Sequence, residues 1–172
     1  MKKKGLSLVV TSLLLIVLVF VAVSIIWVFV SKMITDATEG SESCLGILEK
    51  VSINNDYTCY NETSEGMELQ FSINIDDIDI DELLISVSSE GSSENFKISN
   101  TEARIDNLKN YPDRTELIKL PGKNAGLTYL FNMSSAGLTG QPDLIEIAPI
   151  INENQCEVSD SLNEIDDCAL FG

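Results

Sequence analysis

Residues 6–30, LSLVVTSLLLIVLVFVAVSIIWVFV, run without a charge, a proline or a glycine. At about 1.5 Å per residue a helix of this length crosses a hydrocarbon core of roughly 30 Å, so the pattern predicts one membrane-spanning helix. Ser31, Lys32 and Met33 continue the helical register towards Thr38, and Glu39-Gly40-Ser41 is the expected stop. From Cys44 the pattern changes to short runs alternating between apolar and polar positions, separated by Asn, Gly, Ser and Pro clusters. A period of two is that of a strand with one buried face. Strands are predicted at 45–53, 67–75, 83–88, 95–99, 116–120, 127–131 and 144–150. Turn chemistry falls between them at Asn54-Asn55-Asp56, Thr63-Ser64-Glu65-Gly66, Glu90-Gly91-Ser92-Ser93 and Pro121-Gly122. The stretch 101–110 reads equally as a helical turn or a loop. Six or seven strands at this spacing indicate a small sandwich. The predicted fold class is therefore α+β: one long N-terminal hydrophobic helix, 6–38, followed by a mainly antiparallel β-sandwich head, 39–172.

Charge gives this plan a direction. Lys2, Lys3, Lys4 and Lys32 bracket the apolar run, whereas all 27 acidic residues follow it, and no basic residue follows Lys123. Lysines before the span place the N-terminus in the cytoplasm and the head outside. Lys32, at the far end, can extend its ammonium to the interface and weakens that bias only slightly. From Met33 onward seven basic residues face 27 acidic ones, a surface that repels nucleic acid and anionic headgroups. Nucleic acid is not an expected partner; the membrane is. Trp27 and Phe29, near the outer end of the span, read as interfacial anchors. The hydroxyls of Ser7, Thr11, Ser12 and Ser24 are expected to bond back to helix carbonyls.

The cysteines agree with export. Cys44, Cys59, Cys156 and Cys168 are even in number and all lie in the part expected outside, where disulfides persist. With no histidine and no CxxC pair, a zinc site is disfavoured. Four cysteines allow three connectivities; pairing neighbours in sequence, Cys44–Cys59 and Cys156–Cys168, closes the shortest loops and is the expected arrangement.

Little in the chain points to catalysis. Without histidine, neither a Ser-His-Asp nor a Cys-His arrangement can form. No carboxylate pair is singled out by a motif, so neither an enzyme nor a cofactor is expected. The densest acidic cluster is Asp76-Asp77-Ile78-Asp79-Ile80-Asp81-Glu82. A calcium loop of the EF-hand kind requires glycine where Glu82 stands and glutamate where Ser88 stands. The expected reading is a solvated edge with Ile78 and Ile80 turned inward. Two sequons, Asn61-Glu62-Thr63 and Asn132-Met133-Ser134, fall near predicted turns in the head and make Asn61 and Asn132 candidate glycosylation sites.

The start of the chain, Lys2-Lys3-Lys4-Gly5 followed by Leu6-Ser7-Leu8-Val9-Val10 and an unbroken apolar helix, resembles the class III signal peptide of archaeal type IV pilins. Cys44, the run Tyr57-Thr58-Cys59-Tyr60-Asn61 and the late Leu144-Ile145-Glu146-Ile147-Ala148-Pro149 are more loosely similar to elements of pilin-like archaeal proteins with a β-rich head. The resemblance implies a leader at 1–5, cut between Gly5 and Leu6, with the apolar segment kept on the mature protein. It also implies self-association into a surface filament, adhesive in use, with a prepilin-type peptidase, an assembly ATPase and a membrane platform protein as partners. Bacterial pilins carry glutamate at the fifth mature position, where this chain has Val10. The alternative is a single-pass anchored extracellular β domain that binds a ligand without polymerising.

Overall fold

The computed structural model describes residues 4–44, 46–47 and 49–171, without the side chains of 4–9, 35–43 and 170–171. It divides into an N-terminal unit, Met1–Glu42, and a head, Ser43–Gly172.

Helix α1 spans Lys4–Cys44. Its segment Val10–Ile34 is long and apolar enough to cross a membrane, and none of it is buried among the described residues. Inside that segment the Ser24 hydroxyl donates to the Phe20 carbonyl one turn back (2.8 Å), so this polar group costs the span little. The helix does not stop at Glu39-Gly40-Ser41 but runs through to Cys44. One glycine inside a helix costs only about 1 kcal/mol relative to alanine, which weakens the helix without ending it. The chain turns away two residues later, at Gly46, whose φ of 82° suits glycine and few other residues.

The head is a sandwich of two sheets. The first has the order β11-β2-β3-β7-β6, with β1 also paired to β3. These strands are β1 (Val51–Ile53), β2 (Cys59–Thr63), β3 (Gly66–Ile75), β6 (Leu108–Asn110), β7 (Ala125–Asn132) and β11 (Asp166–Asp167). The second sheet is β10-β8-β4-β5, with β9 added to β8. Its strands are β4 (Glu82–Ser89), β5 (Ser92–Ser99), β8 (Leu144–Ile151), β9 (Asn154–Gln155) and β10 (Asp160–Leu162). All pairings are antiparallel except that of β11 with β2.

Strict alternation sets the faces. Leu69, Phe71, Ile73 and Ile75 on β3 and Tyr129 and Phe131 on β7 turn inward to meet Leu83, Ile85 and Val87 on β4 and Ile145 and Ile147 on β8. Phe96 on β5 reaches across to Phe131, with ring centroids 4.8 Å apart, and Phe71 lies 5.4 Å from Tyr129. Fully burying side chains of this size contributes about 1.5–3 kcal/mol each, so this layer holds the sheets face to face. The β4–β5 hairpin turns on Glu90-Gly91, both at positive φ (49° and 79°), as a two-residue hairpin with the sheet's own twist requires.

One side of the sandwich is closed by polar groups. Ser159 and Asp160, at the start of β10, bond to β1 of the opposite sheet: the Asp160 carboxylate accepts from the Ile53 N–H (2.8 Å) and the Ser159 hydroxyl donates to the Val51 carbonyl. On the other side, Ala103 and Ile118 form an isolated bridge and the Leu120 N–H donates to the Ser99 carbonyl. The predicted strand at 116–120 is reduced to that bridge, because its residues face loop 100–107 rather than a full strand. Of the predicted strand at 45–53, Leu45 and Leu48 lie outside the described residues and its last three residues form β1, and part of the undecided 101–110 becomes β6.

The disulfides are Cys44–Cys156 and Cys59–Cys168, which corrects the local pairing expected from loop length. Loop closure penalises length only weakly, about 0.6 kcal/mol per doubling, so position in the fold decides. Cys156 follows β9 in the second sheet, and its N–H donates to the Pro149 carbonyl. Cys168 follows β11, which runs parallel to β2 with Asp166 opposite Cys59, in the first sheet. Strand β10 and the chain after it separate Cys156 from Cys168 and carry each to a different partner.

Candidate functional site

The sequence-predicted positions disperse over the protein, with one convergence. Gly5 and Leu6 lie in the backbone of α1, and Met1, Lys2 and Lys3 of the expected leader fall outside the described residues. Trp27 and Phe29 are exposed on α1.

The acidic stretch 76–82 joins β3 to β4. Ile80 is buried and Ile78 packs partly against the core, while Asp76, Asp77, Asp79 and Asp81 face outward. Four of its five carboxylates are taken up by lysines and backbone. Lys50 pairs with Asp76 (3.4 Å), Lys97 with Glu82 (3.4 Å) and Lys123 with Asp79 (2.8 Å), and Asp81 accepts from the Asn152 N–H (2.7 Å). The hydrogen bond to Asp79, with the charges of Asp79 and Asp77 adding to it, holds the Lys123 ammonium above its ordinary pKa. Among the described residues no group of three His, Cys, Asp or Glu is arranged to hold a metal ion.

The convergence is on the outer face of the first sheet. Register places Asn61 opposite Glu68 and Glu68 opposite Asn132, so the two sequon asparagines stand in one row across β2, β3 and β7 with a carboxylate between them. Antiparallel neighbours lie about 5 Å apart, which puts these asparagines roughly 10 Å from each other. Spacing in the sequence carries no sign of this; only the strand register does.

Over that row folds the turn 110–115. Its Tyr111–Pro112 bond is cis, and the Arg114 guanidinium grips Glu68 through two parallel bonds (3.1 and 2.8 Å). Glu68 keeps only 12 % of its side chain exposed, so this bidentate pair is better shielded than the other ion pairs of the head. Between turn and sheet lies a hollow of about 190 Å³, with Asn61, Gln70, Tyr111 and Leu130 in its wall. A second, of about 210 Å³, adjoins it on the far side of Glu68 and includes Lys109 and Asn132. Neither hollow, and neither Glu68 nor Arg114, is signalled by a motif. The nearest sequence-level sign is the polar run on the alternate positions of β3 that face away from the core.

The two asparagines differ in their surroundings. Asn132 Oδ1 accepts from the Ser135 N–H (2.8 Å), and Ser134 Oγ of the same sequon accepts from the Met67 N–H (2.8 Å). Met133, between them, is fully buried. Asn61 is exposed, and its side-chain amide makes no hydrogen bond among the described residues.

No protein-family model, curated protein or solved structure matches the chain.

Proposed function

We propose that this protein is a pilin-like structural subunit of an archaeal type IV pilus-like surface filament, adhesive in use. The observation that supports it best is the surface of α1: Val10–Ile34 is apolar but for a few hydroxyls and Lys32 near its end, and none of it is buried among the described residues. A helix that is apolar all round needs a cover. Lipid supplies one before assembly, and the helices of identical copies supply another afterwards. Copies related by a rotation and rise that do not close give an open helical polymer, with helices inside and acidic heads outside. The border Lys2-Lys3-Lys4-Gly5, by its resemblance to a class III signal peptide, supports a peptidase cut on the cytoplasmic side of the span that leaves the rod intact. The two disulfides of the head fit an extracytoplasmic location.

On this reading the prepilin-type peptidase, an assembly ATPase and a membrane platform protein are the partners, together with the membrane and further copies of the chain. The mature N-terminus tests it, measured by mass on protein from the producing organism. A start at Leu6 is expected; a chain beginning Met1-Lys2-Lys3, or cut beyond Val30, rules the reading out. Gly5→Leu should abolish filaments while the protein stays in the membrane. An uncleaved chain with a protease-accessible head and no filaments would instead identify a single-pass anchored domain.

A further inference from the structure

We propose that Asn61 is a glycosylated residue and that the hollow beside it is the seat of the first sugar of its own glycan. This rests on the head lying outside the cytoplasm, not on filament formation.

Sequon modification requires the asparagine amide and the hydroxyl two residues on to be presented together to an enzyme. At Asn61 this demands little. The amide is exposed, and the Thr63 hydroxyl is engaged only within its own hairpin turn, to the Gly66 carbonyl (2.9 Å) and the Glu65 N–H (3.2 Å). Loosening that turn uncovers no core. At Asn132 the same presentation breaks the bonds from Ser135 and Met67 and pulls Met133 out of the hydrophobic core. Once the head has folded, the second sequon is closed.

The hollow suits one sugar ring. Its volume, about 190 Å³, lies below the roughly 300–1,000 Å³ of sites for larger ligands. Tyr111 is half exposed although it is aromatic, and with Pro112 and Leu130 it offers an apolar wall for the C–H face of a pyranose. Polar groups stand opposite. The Gln70 amide nitrogen is directed to the Tyr57 carbonyl (3.4 Å), which leaves its oxygen to accept from a sugar hydroxyl. Arg114 spends two of its five N–H donors on Glu68 and keeps three. A glycan anchored on Asn61 has its first ring within reach of all of these, so no free ligand concentration is needed.

The experiment compares the full-length chain from its producing organism with the same chain from a host lacking asparagine glycosylation. Glycopeptide mapping should find sugar on Asn61 and none on Asn132. Tyr111→Ala should lower the Tm of the glycosylated protein by about 3 °C more than that of the unglycosylated protein. Tyr111→Phe, which keeps the platform, should lower both equally, and Asn61→Gln should remove the difference between the two preparations. A bare Asn61, sugar on Asn132, or an equal Tm shift for Tyr111→Ala in both preparations overturns the proposal. Protease accessibility of the head in intact cells, read on the same sample, distinguishes this failure from a failure of the topology. The mature N-terminus does the same for the filament reading.

Discussion

The Tyr129 ring is fully buried against Phe71, and its hydroxyl donates to the Lys119 carbonyl at 2.6 Å, tying β7 to the segment that crosses between the sheets. Burial pushes the phenol pKa well above its ordinary value. The unfolded chain ionises this group near pH 10 while the folded chain keeps it neutral, so above that point the folded state binds more protons. Its stabilising contribution is complete below pH 10 and declines by up to about 1.4 kcal/mol per pH unit above it. Tyr129→Phe should cost about 1 kcal/mol at pH 8 and make the head less sensitive to pH between 10 and 11, as read by urea unfolding at both pH values. Asp160 acts on the other flank. Replacing it by alanine leaves the Ile53 N–H, at a residue 6 % exposed, without its charged acceptor. A loss of about 1.5–3 kcal/mol is expected, and a value within 0.5 kcal/mol of zero would mean that water replaces the carboxylate.

Among the elements, β3, β4, β7 and β8 were legible in the sequence because each is long and has large apolar residues at alternate positions, strictly so in β3 and with further apolar residues between them in β4, β7 and β8. Leu69-Gln70-Phe71-Ser72-Ile73-Asn74-Ile75 admits no other reading. Strand β2 was not legible: in Cys59-Tyr60-Asn61-Glu62-Thr63 the two less polar residues are adjacent rather than alternate, and it is a strand because β3 offers it an edge and Cys168 holds its first residue. Strands β9, β10 and β11 are two or three residues long and exist only through their partners. The disulfides follow the same logic, since the partners of Cys59 and Cys44 depend on where β11 and β9 dock. Non-reducing peptide mapping should join Cys44 to Cys156 and Cys59 to Cys168; any other pairing contradicts this register. Replacing Cys59 and Cys168 together by alanine should cost about 2–5 kcal/mol, because the bond spans 109 residues and frees both β2 and β11. The row Asn61–Glu68–Asn132 was hidden for the same reason: it is a product of register across three strands, one of which was itself hidden.

At the scale of the whole molecule, a helix uncharged from Leu6 to Val30 is joined to a strongly acidic head. Every residue of the core cluster belongs to the head, from Val51 to Ile147, and α1 adds to it Cys44, its last residue, through the disulfide to Cys156. A chain starting at Ser43, made in an oxidising compartment, should therefore fold, form both disulfides and stay monomeric without detergent, whereas the full chain needs lipid or detergent to cover Val10–Ile34. The charge then sets how full-length copies associate on the proposed filament reading. Heads carrying a large excess of carboxylates repel one another when their helices pack side by side. The Debye length falls from about 30 Å at 0.01 M salt to about 3 Å at 1 M, so the repulsion is screened while helix packing is not. Detergent-depleted full-length protein should assemble more extensively at 0.5 M than at 0.02 M sodium chloride, as followed by sedimentation. The detached head should remain monomeric at both. Assembly that is indifferent to salt would mean that the acidic faces point away from each other, and assembly of the detached head would move the association surface from the helix to the sandwich.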